Sequence, residues 1–151
     1  MKPGDRVADF ALPDQTGKTK TLTELLADGP IVLFFYPAAM TPGCTKEACH
    51  FRDLAAEFAA AGASTVGISA DPVDKQARFA EQQQFNYPLL SDTDGVVATQ
   101  FGVKRGLLGK LMPVKRMTFV IDSDRNVLEV ISSELSMDTH ADKALELLRK
   151  R

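Results

Sequence analysis

Apolar positions change period several times along the chain, and the changes mark out its elements. Residues 31–36, Ile-Val-Leu-Phe-Phe-Tyr, form an unbroken apolar run between Gly29-Pro30 and Pro37, as expected of a central strand buried on both faces. From Cys44 to Ala61 the spacing turns helical, with Phe51, Leu54, Ala55 and Phe58 at i, i+3, i+4 and i+7. That predicts one helix, with Gly62 as its C-cap. Residues 65–69 read as a second central strand, and Asp71-Pro72 as the start of a polar helix over residues 73–85.

Upstream, residues 9–26 read as a β-hairpin that turns at Asp14–Gly17 and runs into a short helical turn starting at Thr23. Downstream come a loop with a short strand (86–95), helical turns over 96–101, and a strand–turn–strand over 118–132. Asp138 or Thr139 is expected to cap a final helix reaching Arg151, with Leu145 and Leu148 inward. Helices alternating with buried strands predict one α/β domain over residues 1–151. Its central mixed β-sheet is flanked by helices and preceded by an N-terminal β-hairpin.

Composition narrows the function. The 151 residues are 44% apolar and 25% charged, ordinary for a globular protein, and a formal net charge of −2 gives no case for nucleic acid or an anionic membrane as partner. The longest apolar run falls far short of the ~18 residues of a membrane span. The first ten residues, MKPGDRVADF, hold no apolar stretch of signal-peptide length, so a cytoplasmic location is expected. Two cysteines, Cys44 and Cys49, are the whole complement. In a reducing compartment such a pair is inert, metal-binding or reactive rather than a structural staple.

Both cysteines fall in Thr41-Pro-Gly-Cys-Thr-Lys-Glu-Ala-Cys49. Thr41 suits an N-cap and Pro42 the first helical position, which puts Cys44 in an accessible first turn. Unpaired N–H groups and the positive helix end face a sulfur there and favour its thiolate. Gly43 leaves the backbone open to a small ligand. Along a helix, five residues of separation put the two Cα atoms roughly 8–9 Å apart, whereas a disulfide needs about 7 Å or less. An intact helix thus forbids a Cys44–Cys49 bond, and forming one requires the first turns to unwind. Metal binding lacks ligands, since the only histidines, His50 and His140, read as an exposed helix residue and part of a helix start.

Pro37-x-x-x-Thr41-x-x-Cys44 resembles the active-site signature of the peroxiredoxins, thiol peroxidases of the thioredoxin-like fold. The longer string, residues 41–49, is similar to that of the peroxiredoxin Q or bacterioferritin comigratory protein group. Pro3-Gly-Asp-x-Val-x-Asp-Phe10, residues 66–69, Tyr87–Asp92, Phe101-Gly-Val103 and Arg116-x-Thr-Phe-Val-Ile-Asp122 recur there in similar order. Ala38-Ala39-Met40 departs from the more polar spacer of many relatives.

The resemblance implies Cys44 as the peroxidatic thiolate, attacking a hydrogen or organic peroxide, and Cys49 as the resolving thiol. Thr41 would donate to the substrate along with the N–H of Gly43. Arg116 would favour the thiolate, in contrast to the solvated residue it would otherwise be beside Lys115, and Pro37 would shield the site. Glu47 would orient Arg116 or border the substrate, or else stand as an exposed first-turn carboxylate. Thioredoxin or a similar dithiol would be the reductant, with no cofactor and no metal. An internal resolving thiol points to a monomer and leaves a dimer open. Competing readings are a non-catalytic redox or metal-responsive module, which needs neither the cysteine turn nor Arg116, and a thioredoxin-type oxidoreductase, which the C-x-x-x-x-C spacing disfavours.

Residues 104–116 carry Lys104, Arg105, Lys110, Lys115 and Arg116 without an acid, interleaved with Leu107, Leu108, Leu111 and Met112. The stretch reads first as a solvated loop. The sharper alternative is a rim that docks a reductant or a lipid hydroperoxide.

Overall fold

The computed structural model describes residues 1–105 and 114–151. In chain order the elements are β1 (Ala11–Pro13), β2 (Thr19–Thr21), α1 (Leu22–Leu25), β3 (Ile31–Phe35), α2 (Pro42–Asp53), α3 (Ala55–Ala60) and β4 (Ser64–Ser69). They continue with α4 (Val73–Gln83), β5 (Leu89–Ser91), α5 (Val96–Gln100), β6 (Met117–Ile121), β7 (Val127–Ser132) and α6 (Met137–Arg149). β1 and β2 form the separate N-terminal hairpin. The other five strands make a mixed sheet in the order β5-β4-β3-β6-β7, parallel from β5 to β3 and antiparallel from β3 to β7. This is the thioredoxin-like sheet with flanking helices.

Strand β3 organises both cores. Val32, Phe34 and Tyr36 face a layer built from α2, α3, α4 and α6. Ile31, Leu33 and Phe35 face the opposite layer, with Leu22 of α1 and Val97 and Ala98 of α5. The period of two, continued through Tyr36 just past the strand, delivers three side chains to each face. Phe34 stacks on Phe51 of α2 with ring centroids 4.3 Å apart. That contact fixes where α2 lies across the sheet.

Five boundaries differ from expectation. The helix expected over residues 44–61 is two helices, because Leu54 leaves the helical basin at φ −97°, ψ 8°. No proline or glycine announces the break, and Phe51 and Phe58 remain buried on either side of it, 5.8 Å apart. Gly62 follows α3 at φ +79° as expected of a left-handed terminator. Helix α1 is capped by Thr21 rather than Thr23, through a reciprocal box with Glu24. The Thr23 hydroxyl donates instead to Asp9.

Helix α4 stops at Gln83 because Gln84 adopts φ +57°, and Phe85 N donates back to Ala80 O at 3.0 Å. That reversal folds Phe85 onto Phe79 and Tyr87. Its N-cap is Pro72, not Asp71, and α6 is capped by Ser136 rather than Asp138 or Thr139. Leu107, Leu108, Lys110, Leu111 and Met112, named above for a docking rim, lie outside the described residues. No described helix is long and apolar enough to cross a membrane.

Gly67 of β4 shows how tightly the sheet and the α2 layer are packed. A Cβ there would lie 2.8 Å from Leu89 Cδ2, 3.0 Å from Phe34 Cζ and 3.2 Å from Tyr36 Cε1. Gly67→Ala is expected to destabilise the protein by about 1–3 kcal/mol, the usual cost of overpacking. Urea unfolding at constant m-value measures this, and an unchanged midpoint would contradict it.

Candidate active site

The segment from Pro37 to Met40 carries the chain from the end of β3 into α2. Pro37 is buried, and Met40 turns the backbone at φ +65°, a sparsely populated conformation for a residue with a Cβ. Asp71 holds this turn in place: its Oδ2 accepts from Ala39 N and from Ser69 Oγ, each at 2.7 Å. Gln76 braces Ser69 in turn and accepts from the Tyr36 hydroxyl. Asp71 therefore ties the turn to β4 instead of capping α4.

Thr41 has the extended backbone of an N-cap but makes no side-chain cap bond. Its hydroxyl donates to Ala38 O at 2.7 Å. The first i→i−4 bond of the helix runs from Thr45 N to Thr41 O at 2.8 Å. The N–H groups of Gly43 and Cys44 thus sit in the orphan first turn.

Cys44 is only 1% exposed, more enclosed than its first-turn position predicts. It is part of the apolar cluster with Ala39, Ala48 and Phe51, and Arg116, itself 4% exposed, reaches it from the residue before β6. Its Nη2 donates to Cys44 Sγ at 3.2 Å and its Nη1 to Glu47 Oε1 at 2.6 Å. Glu47 is fully buried, so the exposed-carboxylate reading does not hold, nor does the solvated reading of Arg116. Glu134 fixes the Arg116 backbone by accepting from its N–H at 3.1 Å and also accepts from Arg105 Nη2 at 2.9 Å. A Cβ on Gly43 would lie in ordinary contact, 3.4 Å from Arg116 Nη2 and 3.6 Å from Met137 Sδ, so Gly43 lies beside the guanidinium.

Burial pushes the Glu47 carboxyl up to about 8, against the opposing pull of Arg116. Its Oε2 and the Nε of Arg116 find no hydrogen-bond partner among the described residues. The guanidinium keeps its charge throughout.

Cys49 occupies a different face of α2. Its thiol donates to Gln83 Oε1 on α4 at 3.4 Å, and burial raises it above the ordinary thiol range. Both cysteines are free thiols. Two further bonds tie this end of α2 down, Arg52 Nη1 to Gln83 O at 2.7 Å and Tyr87 Oη to Ala48 O at 2.7 Å. His50 is half-buried and pairs with Asp142 of α6 at 2.7 Å. Among the described residues no cluster of His, Cys, Asp and Glu is arranged to hold a metal.

Sequence reasoning missed three residues of this neighbourhood. Asp71 was read only as a helix start, and nothing near it in sequence points to Ala39. Met137 gave no signal. His140 did: it lies on the inward stripe of α6 with Ala141, Ala144, Leu145 and Leu148, a position from which a polar ring must find buried partners.

The sequence and the fold match known proteins. The model of the AhpC/TSA family matches residues 3–130, and the chain belongs to that family. Peroxidoxin BcpB from Mycobacterium tuberculosis is 76% identical, with a TM-score of 0.95 over 99% of this chain and 97% of that one. Peroxiredoxin Bcp of Escherichia coli K12 is 39% identical over 153 residues, 99% of this chain and 97% of its own. The bacterioferritin comigratory protein of Xanthomonas campestris, described for its alkyl peroxide reduction activity, is 32% identical, with a TM-score of 0.83 over 93% and 90% of the two chains. Within the family, these likenesses place the chain among the peroxiredoxins of the bacterioferritin comigratory protein, or peroxiredoxin Q, group.

Glu47 gives the site a signature in stability. A carboxyl raised from the ordinary 4.5 to about 8 on folding contributes most below about pH 4.5, and its contribution is lost as the pH rises through 8. The limiting slope is about 1.4 kcal/mol per pH unit. Glu47→Gln removes the titration, so its Tm relative to wild type should climb between pH 5 and about 8 and level off above that. Parallel Tm curves across that range would contradict it.

Proposed function

We propose that this protein is a thiol peroxidase that reduces hydrogen peroxide and organic hydroperoxides at Cys44. The observation that carries this reading is the 3.2 Å bond from Arg116 Nη2 to Cys44 Sγ at the start of α2. A fixed cation and a helix N-terminus at one buried sulfur stabilise a thiolate, and an inert core thiol needs neither. The alkyl peroxide reduction described for the Xanthomonas relative supports extending the substrates beyond hydrogen peroxide.

The thiolate attacks one oxygen of the peroxide in line with the O–O bond. An S–O bond forms, the O–O bond breaks, and the departing oxygen takes a proton to leave as water or an alcohol. Cys44 is oxidised to the sulfenic acid and the peroxide is reduced. Negative charge grows on the departing oxygen, so donors aimed at it lower the barrier. The Gly43 and Cys44 N–H groups and Arg116 supply them. The Thr41 hydroxyl donates its hydrogen bond to Ala38 O, so toward a peroxide O–H it acts as an acceptor. Pro37 walls the pocket, and Glu47 holds the far side of the guanidinium instead of meeting substrate.

Cys49 resolves the sulfenic acid. Its thiol displaces water from Cys44 to form the intramolecular disulfide. With Cys44 turned to Arg116 and Cys49 to Gln83, the sulfurs meet only after the first turns of α2 unwind. Thioredoxin or a similar dithiol then reduces the disulfide exposed by that unwinding, returning two thiols. The physiological role is antioxidant defence in the cytoplasm.

Cys44→Ser should abolish peroxide consumption. Cys49→Ser should consume one equivalent per chain and then stop. After one equivalent of peroxide, peptide mapping of the wild type should show the loss of two hydrogens at Cys44–Cys49. Normal turnover by Cys44→Ser, or a lasting single oxygen on Cys44 beside a free Cys49 in the wild type, would contradict the scheme.

A further inference from the structure

The turn that leads into α2 carries a strained residue. Met40 sits at φ +65°, a left-handed conformation that a residue with a Cβ keeps only where its surroundings impose it. The N-cap that follows, Thr41, makes no side-chain cap bond. The first turn of α2, with its Gly43 and Cys44 N–H groups, therefore has little of its own to hold it in place. The Thr41 hydroxyl closes the turn internally by donating to Ala38 O at 2.7 Å. That bond sets the shape of the turn but not its position over the sheet.

Its position comes from Asp71, which follows β4 and is 9% exposed. Asp71 Oδ2 accepts from Ala39 N and from Ser69 Oγ, each at 2.7 Å, and Oδ1 pairs with Lys75 Nζ at 3.2 Å. Behind it, Gln76 Nε2 donates to Ser69 Oγ and to Leu90 O, both at 2.9 Å, and the Tyr36 hydroxyl donates to Gln76 Oε1. Ser69, Gln76 and Tyr36 are all buried. A chain of hydrogen bonds thus runs from the backbone of β5, through α4 and the end of β4, to the N–H of Ala39. Satisfied along its length in a dry region, such a chain is stiff.

We propose that Asp71 is a positioning residue of the thiol site: through Ala39 it imposes the Met40 turn, and so sets where α2 presents its first N–H groups and the Cys44 sulfur. The inference rests on the reading of Cys44 as the attacking thiol and Cys49 as the resolving one. It gives the two steps of the cycle opposite dependences on one bond. Attack needs the turn fixed, because displaced donors no longer meet the departing oxygen. Resolution needs the same turn to give way, since Cys44 must leave Arg116 to reach Cys49. Asp71 favours the first step and slows the second.

Both steps are read in one reaction. Reduced protein is mixed with hydrogen peroxide at several concentrations, quenched in acid at intervals, and resolved by intact mass into reduced chain, sulfenic acid and disulfide. Loss of reduced chain scales with peroxide, whereas conversion of sulfenic acid to disulfide does not. Asp71→Ala orphans the Ala39 N–H, so the first rate should fall about ten- to a hundredfold. The second should rise about fivefold, the weight of one net hydrogen bond. Asp71→Asn keeps an acceptor for Ala39 N, and Lys75→Met removes only a partly exposed partner. Both should stay within about threefold of wild type in each step.

A residue that serves packing alone lowers Tm with both rates intact, or slows both steps together. Either result in Asp71→Ala would overturn the proposal, as would an Asp71→Asn variant as impaired as Asp71→Ala. If Asp71→Ala does not fold, Ser69→Ala decides: it removes the brace on Oδ2 and should move the two rates in the same opposite directions by a smaller factor. A wild type that stays reduced under peroxide would remove the peroxidase reading and this inference with it. A reactive wild type matched in both steps by Asp71→Ala would remove the inference alone.

Discussion

One guanidinium, sealed from water, serves two acids. Arg116 spans Cys44 on one side and Glu47 on the other, and among the described residues no second cation stands with it. In water such an arrangement would matter little, but at low effective dielectric the energy of each ion depends steeply on its partner. Much of the surrounding structure serves to keep this bridge in register. Glu134 pins the Arg116 backbone, β3 and β6 pair so that the arginine arrives opposite α2, and the Phe34–Phe51 stack seats that helix.

Helix α2 has two physical roles that oppose each other. Its N-terminus supplies orphan N–H groups to Cys44, while its rigidity keeps Cys49 on another face. The bonds that tie its middle to α4 and Tyr87 strengthen the second role. A helix so anchored unwinds more cheaply from its first turn than from its centre. The break at Leu54 limits how far such unwinding travels, because α3 is held separately by Phe58. The two thiols are therefore separated by a helix anchored along its middle.

The fold was largely legible because β3 is apolar on both faces and the helices after it keep their period. The boundaries that escaped were those decided by tertiary packing. Leu54 has no local reason to leave the helix, and Gln84 ends α4 only because Phe85 has a buried pocket to return to. In the site, the cysteine turn could be read from local helix chemistry. Arg116 could not, because 72 positions separate it from Cys44. It emerged only through family resemblance. Glu47 was visible with its role undecided, since burial is a property of the fold. His140 was discounted as part of a helix start, although its place on an apolar stripe carried the clue.

The central claim is that oxidation joins two thiols that the standing helix keeps apart. Hydrogen exchange across residues 42–53 measures this directly, in reduced protein and after one equivalent of peroxide. The account predicts that oxidation strips protection from the first turns of α2 and leaves β3, β4 and β6 as protected as before. Equal protection of α2 in both states, with the Cys44–Cys49 disulfide present, would contradict it.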